Sequence, residues 1–585
     1  LAYRNMKKND GSTTPGIDGK TIEHLAKMTE KEVIELVRNK LEWYTPKAIR
    51  RVEIDKGNGK KRPLGIASIE DRLIQQCILQ VLEPICEAKF HDRSNGFRPN
   101  RGVENALAQA EKLIQSNKLY IVVDIDIKGF FDNVSHGKLL KQLWTIGIQD
   151  KKLISIISAM LKGEIAGIGF PEKGTAQGSI ISPLLSNVVL NELDWWIASQ
   201  WEFMPTRHVY KEAIKANGTQ SKSKKYRALR SSTLKECFIV RYADDFKIFC
   251  RKHKDAVVMF EATKQWLKTR LGLDISPEKS KIVNLKHSYS EFLGFRIKVH
   301  KKGKDTKCKP PVDKYVVKSH ISEKALKKIK TNAKERIIAI QKTNGSRAGE
   351  FAIRDYNSFV MGVQNYYSMA TCVNPDMQTL AYEIKTSIKI RLNTRVKRRT
   401  NEALTPYLSE RYGRSKELRF INGVPLVPIG YVQHRVPLHK KTVVNKYTVE
   451  GRKEIHKQLE TVDIERVHEL MKNPISDETV EFNDNCVSLF VAQRGKCAIC
   501  KLPLTLENMR CIRKIPKSCG GDDKYNNLII VHKEMERLIK SQDKKEIKRI
   551  LNKYKLESNQ RRKANTIRKN AGLEEIDVKA LDKEL

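Results

Sequence analysis

Hydrophobic positions repeat at two spacings along this chain, and the order in which the spacings alternate divides it into regions. Residues 51 to 66 are two extended runs around Lys56-Gly57-Asn58-Gly59-Lys60, a Gly/Asn turn that predicts a hairpin. A helical spacing follows from about Ile69 to Phe90. Between about 118 and 300, short β-branched runs mix with helices at Tyr120 to Ile127, Lys151 to Leu161, Phe238 to Cys250 and Phe260 to Leu271, the pattern of an α+β core. From about 318 to 400 strand signals mostly fade, and helical periodicity leads into a very basic stretch, Lys385 to Arg399. A Pro/Gly-punctuated basic segment, Arg411 to about Lys457, precedes a small Cys/His module near 486 to 545 and a charged tail expected to be helical or loosely ordered.

A chain of 585 residues exceeds one hydrophobic core, so two to four domains are expected. The 111 Lys+Arg against 68 Asp+Glu give a formal charge of +43, far beyond the needs of solubility and suited to a polyanion whose counterions the protein displaces. No run approaches the roughly 18 apolar residues of a membrane span, and the first thirty residues lack a signal-peptide core, so the chain reads as soluble and intracellular. Its eleven cysteines are mostly scattered through apolar segments, as at Cys77, Cys86 and Cys250, the pattern of reduced core thiols; only Cys497 and Cys500 are paired by spacing. The initial Leu1 fits a non-AUG start, a fragment or continuation from an upstream exon.

The candidate chemistry lies in carboxylates. In the run Tyr120 to Asp126, Ile121, Val123 and Ile125 share one strand face, while Asp124 and Asp126 share the other. Later, Phe238 to Phe249 has two apolar runs flanking Ala243-Asp244-Asp245, a hairpin with adjacent acids at its tip. Alone, such a tip is a solvated turn, since Asp favours turns. Together with a strand-borne Asp, it offers the hard oxygen ligands that polynucleotide synthesis needs for two magnesium ions, one lowering the pKa of a primer 3′-hydroxyl and one holding the triphosphate.

Tyr242-Ala243-Asp244-Asp245 resembles the signature of reverse transcriptases, and Asp126-Ile127-Lys128-Gly129-Phe130-Phe131 resembles their first catalytic motif. The resemblance implies Asp126, Asp244 and Asp245 as magnesium ligands. It favours Asp126 over Asp124 because the family places an aromatic five positions after the catalytic Asp, against a ribose 2′-hydroxyl, and Phe131 fits where Gly129 could not. Further motifs follow in the family's order. Lys60 to Ile66 resembles the fingers motif, implying that Arg62 grips the incoming triphosphate. Ser94 to Pro99 and Gly174 to Pro183 resemble two more, the second implying that Gln177 contacts the nucleotide sugar. Leu271 to Lys281 and Glu291 to Phe295 resemble the last motifs of the palm, so this resemblance covers about residues 11 to 300.

Pro15-Gly16-Ile17-Asp18-Gly19 resembles the N-terminal extension of group II intron-encoded proteins, and Tyr356 to Tyr367 resembles their thumb, or maturase, domain; a plain aromatic packing stripe reads the latter equally well. Lys385, Lys389, Arg391, Arg395, Lys397, Arg398 and Arg399 could line a phosphate backbone. The segment from Arg411 through Pro425, Gly430-Tyr431 and His439-Lys440-Lys441 resembles the family's DNA-binding region, although a tethering linker explains it almost as well. Cys497 to Cys500, Lys514 to Gly521 and Asn526 to His532 resemble an HNH endonuclease, a ββα-metal fold with a His general base. Here the two expected His are Ile512 and Arg513, and Met535, Glu536 and Lys540 stand where further Cys or His are expected. Asn527 and His532 remain. Neither Ile nor Arg takes a proton from water, so no strand cleavage is expected. Cys497 and Cys500 supply half of a zinc site that Cys511 and Cys519 could complete; free thiols are the alternative.

The fold expected is a multidomain α+β chain: a right-hand polymerase with an N-terminal extension and fingers (1–117) and a palm (118–300), an all-helical thumb (301–405), a basic DNA-binding segment (406–485), a degenerate HNH-like module (486–545) and a charged tail (546–585). The resemblance implies an RNA-directed DNA polymerase that binds group II intron RNA, assists its splicing and copies it, with dNTPs, an RNA template, a DNA primer and a DNA target as partners. Its closest similarity is to low-GC bacterial members, implying a bacterial cytoplasmic location, with chloroplast or mitochondrion as alternatives. A splicing-only maturase with a vestigial polymerase site, or a reverse transcriptase unconnected with introns, would carry many of the same features.

Overall fold

Isoleucines and valines at 121, 122, 123 and 125 make the central strand of a four-stranded antiparallel sheet, and Ile121–Ile125 is buried at every residue. Its neighbours are Asp245–Cys250 on one side and Lys281–Asn284 on the other, with Cys237–Tyr242 beyond Asp245–Cys250. Strands covered on both faces read as continuous apolar runs, which is why these segments stand out in the sequence. Helices His253–Trp266 and Val103–Gln115 pack on this sheet. The computed structural model describes residues 1–55, 61–210, 213–214, 220–305, 310–343, 346–398, 404–441, 443–457 and 463–576; the expected hairpin turn at 56–60 and Arg399 lie outside them.

The chain divides into two units, and the sheet belongs to the one formed by Glu87–Leu139 and Pro183–Thr442. Beyond the sheet, Ser290–Phe292, Phe295–Asp305 and Val312–Ile321 form a three-stranded antiparallel sheet. The region expected to be all-helical from 301 therefore begins with a hairpin, and its first helix starts at Glu323. Lysines interleaved with Val299, Val316 and Val317 hid the alternation. Helices Glu323–Lys342, Ser346–Tyr367 and Val373–Leu392 follow, the first burying Ile329, Ala333, Ile337 and Ile340 along one stripe. Of the aromatic stripe, Tyr356 is buried, whereas Tyr366 and Tyr367 pack on Phe295 and the Tyr366 hydroxyl donates to the Leu293 carbonyl at 2.9 Å. Helix Ser346–Tyr367 also binds the start of the basic segment: the Gln364 amide donates to the carbonyls of Pro428, Ile429 and Tyr431, and the Asn357 amide to that of Pro425.

The other unit comprises Leu1–Cys86, Leu140–Ser182 and Val443–Leu585. Arg50–Asp55 pairs antiparallel with Lys61–Ile66, as the hairpin pattern predicts. Helix Ile69–Glu87 buries even its polar first turn, because Arg72 donates to the carbonyls of Gly11, Thr14 and Ala67 while Glu70 meets Lys20 at 2.8 Å. A Cβ on Gly16 would lie 2.7 Å from the Ser68 Cα, so the Pro15–Gly19 turn can approach this helix only with glycine there. In the C-terminal part, Val480–Ala492, Met509–Arg513, Leu528–His532 and Lys533–Lys540 share one core with Ile547, Ile550, Leu556, Ala564, Ile567 and Ile576. The residues read as a charged tail from 546 thus belong to this core as far as Ile576. Except for Arg568, which is buried and donates to the carbonyls of Leu538, Ile539 and Ser541, their lysines and arginines lie outward on helices Lys544–Tyr554 and Ser558–Asn570, which masks the apolar spacing beneath. Among the described residues, no helix is long and apolar enough to cross a membrane.

Candidate active site

The two carboxylates that share a strand face in the sequence part company in the structure. Asp124 lies inside the sheet opposite Lys247, with only 7% of its side chain exposed; it accepts from the Lys247 ammonium at 3.1 Å and from the Ser290 hydroxyl at 3.0 Å. Asp126 follows the strand's last residue and is 43% exposed. Its backbone is pinned by the loop after helix His253–Trp266: its carbonyl accepts from Ser276 N–H at 2.7 Å, and its N–H donates to the Ser280 hydroxyl at 3.2 Å. Its carboxylate accepts from the Ser276 hydroxyl at 2.8 Å and the Lys279 ammonium at 3.0 Å.

The second element is a tight hairpin. Tyr242 pairs with Asp245, leaving Ala243-Asp244 as the two-residue turn, with Ala243 at φ +56°. A left-handed Ala costs about 1–2 kcal/mol, so surrounding contacts must hold it. Pairing of Ile125 with Phe246 sets this turn beside the end of the Asp126 strand. Asp244 is exposed, and Asp245 is half-buried with its carboxylate 3.9 Å from Lys247. Burial pushes the Asp245 carboxyl up to about 6; Lys247 opposes the shift, and the charges of Asp124, Asp244 and Asp126 add to it. Four carboxylates thus repel one another with one buried ammonium among them.

That surplus of negative charge on oxygen ligands suits hard divalent cations, so the donor set fits magnesium. Among the described residues, no three metal-capable side chains are already gathered at ligand distance; Asp126 turns to Ser276 and Lys279 instead. Lys247 and the buried pair Arg241–Asp194 are neighbours of these carboxylates that the sequence reading did not single out, whereas Ser276 and Lys279 fall within the motif it named at Leu271 to Lys281.

Phe131 lies in the same unit as the carboxylates, in the short helix Phe130–Asn133 that follows left-handed Gly129, and is half-buried edge-on to Phe130. Arg62 and Gln177 belong to the other unit. There Arg62 is exposed on the hairpin opposite Ile54, and the same strand meets the Gln177 loop, with Gly65 N–H donating to the Gln177 carbonyl at 2.6 Å.

In the C-terminal part, strands Met509–Arg513 and Leu528–His532 pair antiparallel and helix Lys533–Lys540 follows. The remnant residues are occupied. Asn527 donates to the carbonyls of Ile515 and Asp522 and accepts from Ile515 N–H, closing the 515–522 loop, while His532 caps the helix through Nδ1. Arg513 is ion-paired to Glu478 and to Asp523, the latter at 2.6 Å, and its guanidinium lies 4.5 Å from the centre of the Phe482 ring. Cys497 is buried beside Cys500, whose hydrogen bond pulls the Cys497 thiol down to about 6 and leaves Cys500 raised. Cys511 hydrogen-bonds Cys486 rather than this pair, and Cys519 is exposed.

Residues 54–297 match the family model of the reverse transcriptase (RNA-dependent DNA polymerase). The group II intron-encoded protein LtrA of Lactococcus lactis is 31% identical over 420 residues, 64% of this chain and 69% of its own. Protein YkfC of Escherichia coli is 31% identical over 51% of this chain and 79% of its own. A putative COX1/OXI3 intron 1 protein of Saccharomyces cerevisiae is 28% identical over 63% and 49%.

Proposed function

This chain belongs to the group II intron-encoded proteins, as a reverse transcriptase and maturase, and on that premise we propose how its residues serve DNA synthesis on intron RNA. The observation that carries the reading is the register that sets Asp126 beside the Ala243-Asp244 turn, concentrating carboxylates that burial and mutual repulsion leave short of positive charge.

Asp126, Asp244 and Asp245 are the residues that would hold two magnesium ions, whose chemistry is to lower the pKa of the primer 3′-hydroxyl and to stabilise charge on the leaving pyrophosphate. In the reaction, the 3′-oxygen bonds to the α-phosphorus, the bond to the β-phosphate oxygen breaks, and the hydroxyl proton goes to solvent. Lys279 and Ser276 hold the Asp126 carboxylate until ligands replace them. Asp124, neutralised by Lys247 and Ser290, keeps the strand in place. Phe131 fills the space a ribose 2′-hydroxyl would take, Arg62 binds the triphosphate as a bidentate fork, and Gln177 contacts the sugar.

The excess of basic residues binds intron RNA, the template–primer and the DNA target, and the chain acts in a bacterial cytoplasm. The C-terminal module cuts no DNA. Arg513 stands where a proton acceptor is needed and stays charged, and Asn527 and His532 are spent on the module's own backbone. The primer for insertion then comes from another source, such as a nascent strand at a replication fork.

The test is primer extension on a long RNA template with magnesium, comparing wild type with Asp244→Ala. Full-length cDNA from wild type alone supports the reading; none from either folded, RNA-bound protein refutes the polymerase assignment and leaves a splicing cofactor.

A further inference from the structure

Asp244 and Asp245 project from a turn whose first residue is left-handed and is not glycine, so contacts beyond the turn itself must hold it. Arg241, in strand Cys237–Tyr242 two residues before Ala243, does so. Its side chain is fully buried, as is that of Asp194, which it meets through Nε at 2.8 Å and a terminal nitrogen at 2.6 Å. The remaining terminal nitrogen donates to the Asn187 side-chain oxygen at 2.9 Å and to the Ala243 carbonyl at 2.8 Å. That carbonyl belongs to the peptide joining Ala243 to Asp244.

The same cluster closes beneath the turn. The Asn187 amide donates to the Gly96 carbonyl at 2.8 Å, and backbone bonds run from Asn95 N–H to the Arg241 carbonyl and from Arg241 N–H to the Arg93 carbonyl, each 2.9 Å. A Cβ on Gly96 would stand 2.2 Å from the Ala243 nitrogen, so the 93–96 segment supports the turn in direct backbone contact. Replacing a buried ion pair by packed hydrophobic side chains is often neutral for stability, so folding alone gives little reason for this one. A guanidinium is distinguished by its fork: with Asp194 and Asn187 fixing its plane, one donor is left aimed at a single backbone oxygen.

We propose that Arg241 is a positioning residue for polymerisation, clamped by Asp194 and Asn187 so that it fixes the Ala243 turn and with it the magnesium affinity of Asp244 and Asp245. This rests on the reading that those two carboxylates hold the ions. Arg241→Lys keeps the charge and loses the fork; Asn187→Ala keeps the Arg241–Asp194 pair and loses one side of the clamp.

The experiment uses the full-length protein, with extension rates per template-bound molecule titrated against magnesium and a thermal melt of each variant. For Arg241→Lys, half-saturation in magnesium rises and kcat falls, together by about 10- to 100-fold, the range seen when partners behind a metal ligand are changed. Template–primer affinity stays at the wild-type value. Asn187→Ala shifts in the same direction by less, and decides the matter if Arg241→Lys does not fold. Folded variants that melt earlier but keep the wild-type magnesium curve and kcat would overturn the proposal and leave a purely structural ion pair. Wild type that makes no cDNA, or Asp244→Ala that makes it normally, would instead remove the underlying reading.

Discussion

Gly96→Ala gives the most direct test of how finely the carboxylates are placed. The added Cβ would lie 2.2 Å from the Ala243 nitrogen, 2.9 Å from the Tyr242 carbonyl carbon and 3.0 Å from the Ala243 Cα. All three are backbone atoms, so no side chain can swing aside. Restoring ordinary carbon contacts of about 3.5 Å requires the turn and the 93–96 segment to separate by roughly 1 Å. Overpacking of this kind costs about 1–3 kcal/mol in stability, which a multidomain chain survives. The catalytic cost is larger, because a reacting constellation misplaced by about 1 Å loses on the order of 10²-fold in rate, or about 3 kcal/mol in barrier.

The assay is single-nucleotide extension under single-turnover conditions, with active sites counted by template–primer binding and folding followed by a thermal melt. Gly137→Ala is the matched control: Gly137, at the start of helix His136–Thr145, belongs to the same unit, and its Cβ would meet nothing within 4 Å. A folded Gly96→Ala protein extending within about threefold of wild type would refute the reasoning, since the turn could then yield without moving Asp244 and Asp245.

Four other outcomes follow from the geometry. Phe131→Ala raises the kcat/KM for ribonucleotides relative to deoxyribonucleotides by about 10- to 100-fold, the span of a lost steric contact in a binding pocket; an unchanged ratio in competitive incorporation removes Phe131 from sugar selection. Asp245→Asn abolishes extension yet raises the melting temperature in metal-free buffer at pH 7.5. A carboxyl held near 6 in the fold costs stability above that pH, and with the side chain 44% exposed the relief is discounted to about 1 kcal/mol; a fall in melting temperature would mean that its ion pair with Lys247 outweighs the repulsion. Arg513→Ala leaves Glu478 and Asp523, at 24% and 11% exposure, with the half-exposed Lys517 as the cation still in reach, and destabilises the C-terminal module by about 1–3 kcal/mol, read as faster hydrogen exchange across residues 478–523. Arg513→His restores no plasmid nicking, and any cleavage would show that the module kept its chemistry.

What the sequence makes legible here is what neighbouring residues determine. The central strand and the hairpin show because isoleucine, valine and phenylalanine form nearly continuous apolar runs, and the turn shows because two acids interrupt them. Ser276 and Lys279 fall within the motif named at Leu271 to Lys281, but they lie 150 and 153 positions from the Asp126 they bind, and Asp194 lies 47 from Arg241, so no local spacing announces these contacts. Even Asp124 and Asp126, equivalent by alternation, differ only because Lys247 and Ser290 arrive from other strands to neutralise the first. The hairpin running through Val312–Ile321 and the helices beyond 546 were obscured for a different reason: lysine stems cover their apolar positions, and a charge count sees the heads alone. In the second case a signal was available, since Ile547, Ile550, Leu551 and Tyr554 keep a helical spacing beneath the charge.

Arg513, proposed above to stand where a proton acceptor is needed, has a structural part in the C-terminal module. With Asp523 it braces the start of helix Val480–Ala492, where Thr479 donates its hydroxyl to the same Asp523 at 2.8 Å. That helix start is also where the N-terminal segment attaches: Val480 N–H donates to the Met28 carbonyl at 2.9 Å, Lys7 binds Glu481, Asp484 and Asn485, and Tyr3 donates to Glu481. Val480 itself packs on the cluster of Tyr3, Met6, Ile22 and Leu25. Loosening Arg513 therefore loosens the first thirty residues as well as the module, and exchange protection at Met6 and Leu25 should fall in Arg513→Ala alongside that at Phe482. If only the module responds, the N-terminal segment is held by apolar packing and by its own contacts from Lys7 and Tyr3, and the ion pairs around Asp523 contribute nothing beyond their own loop.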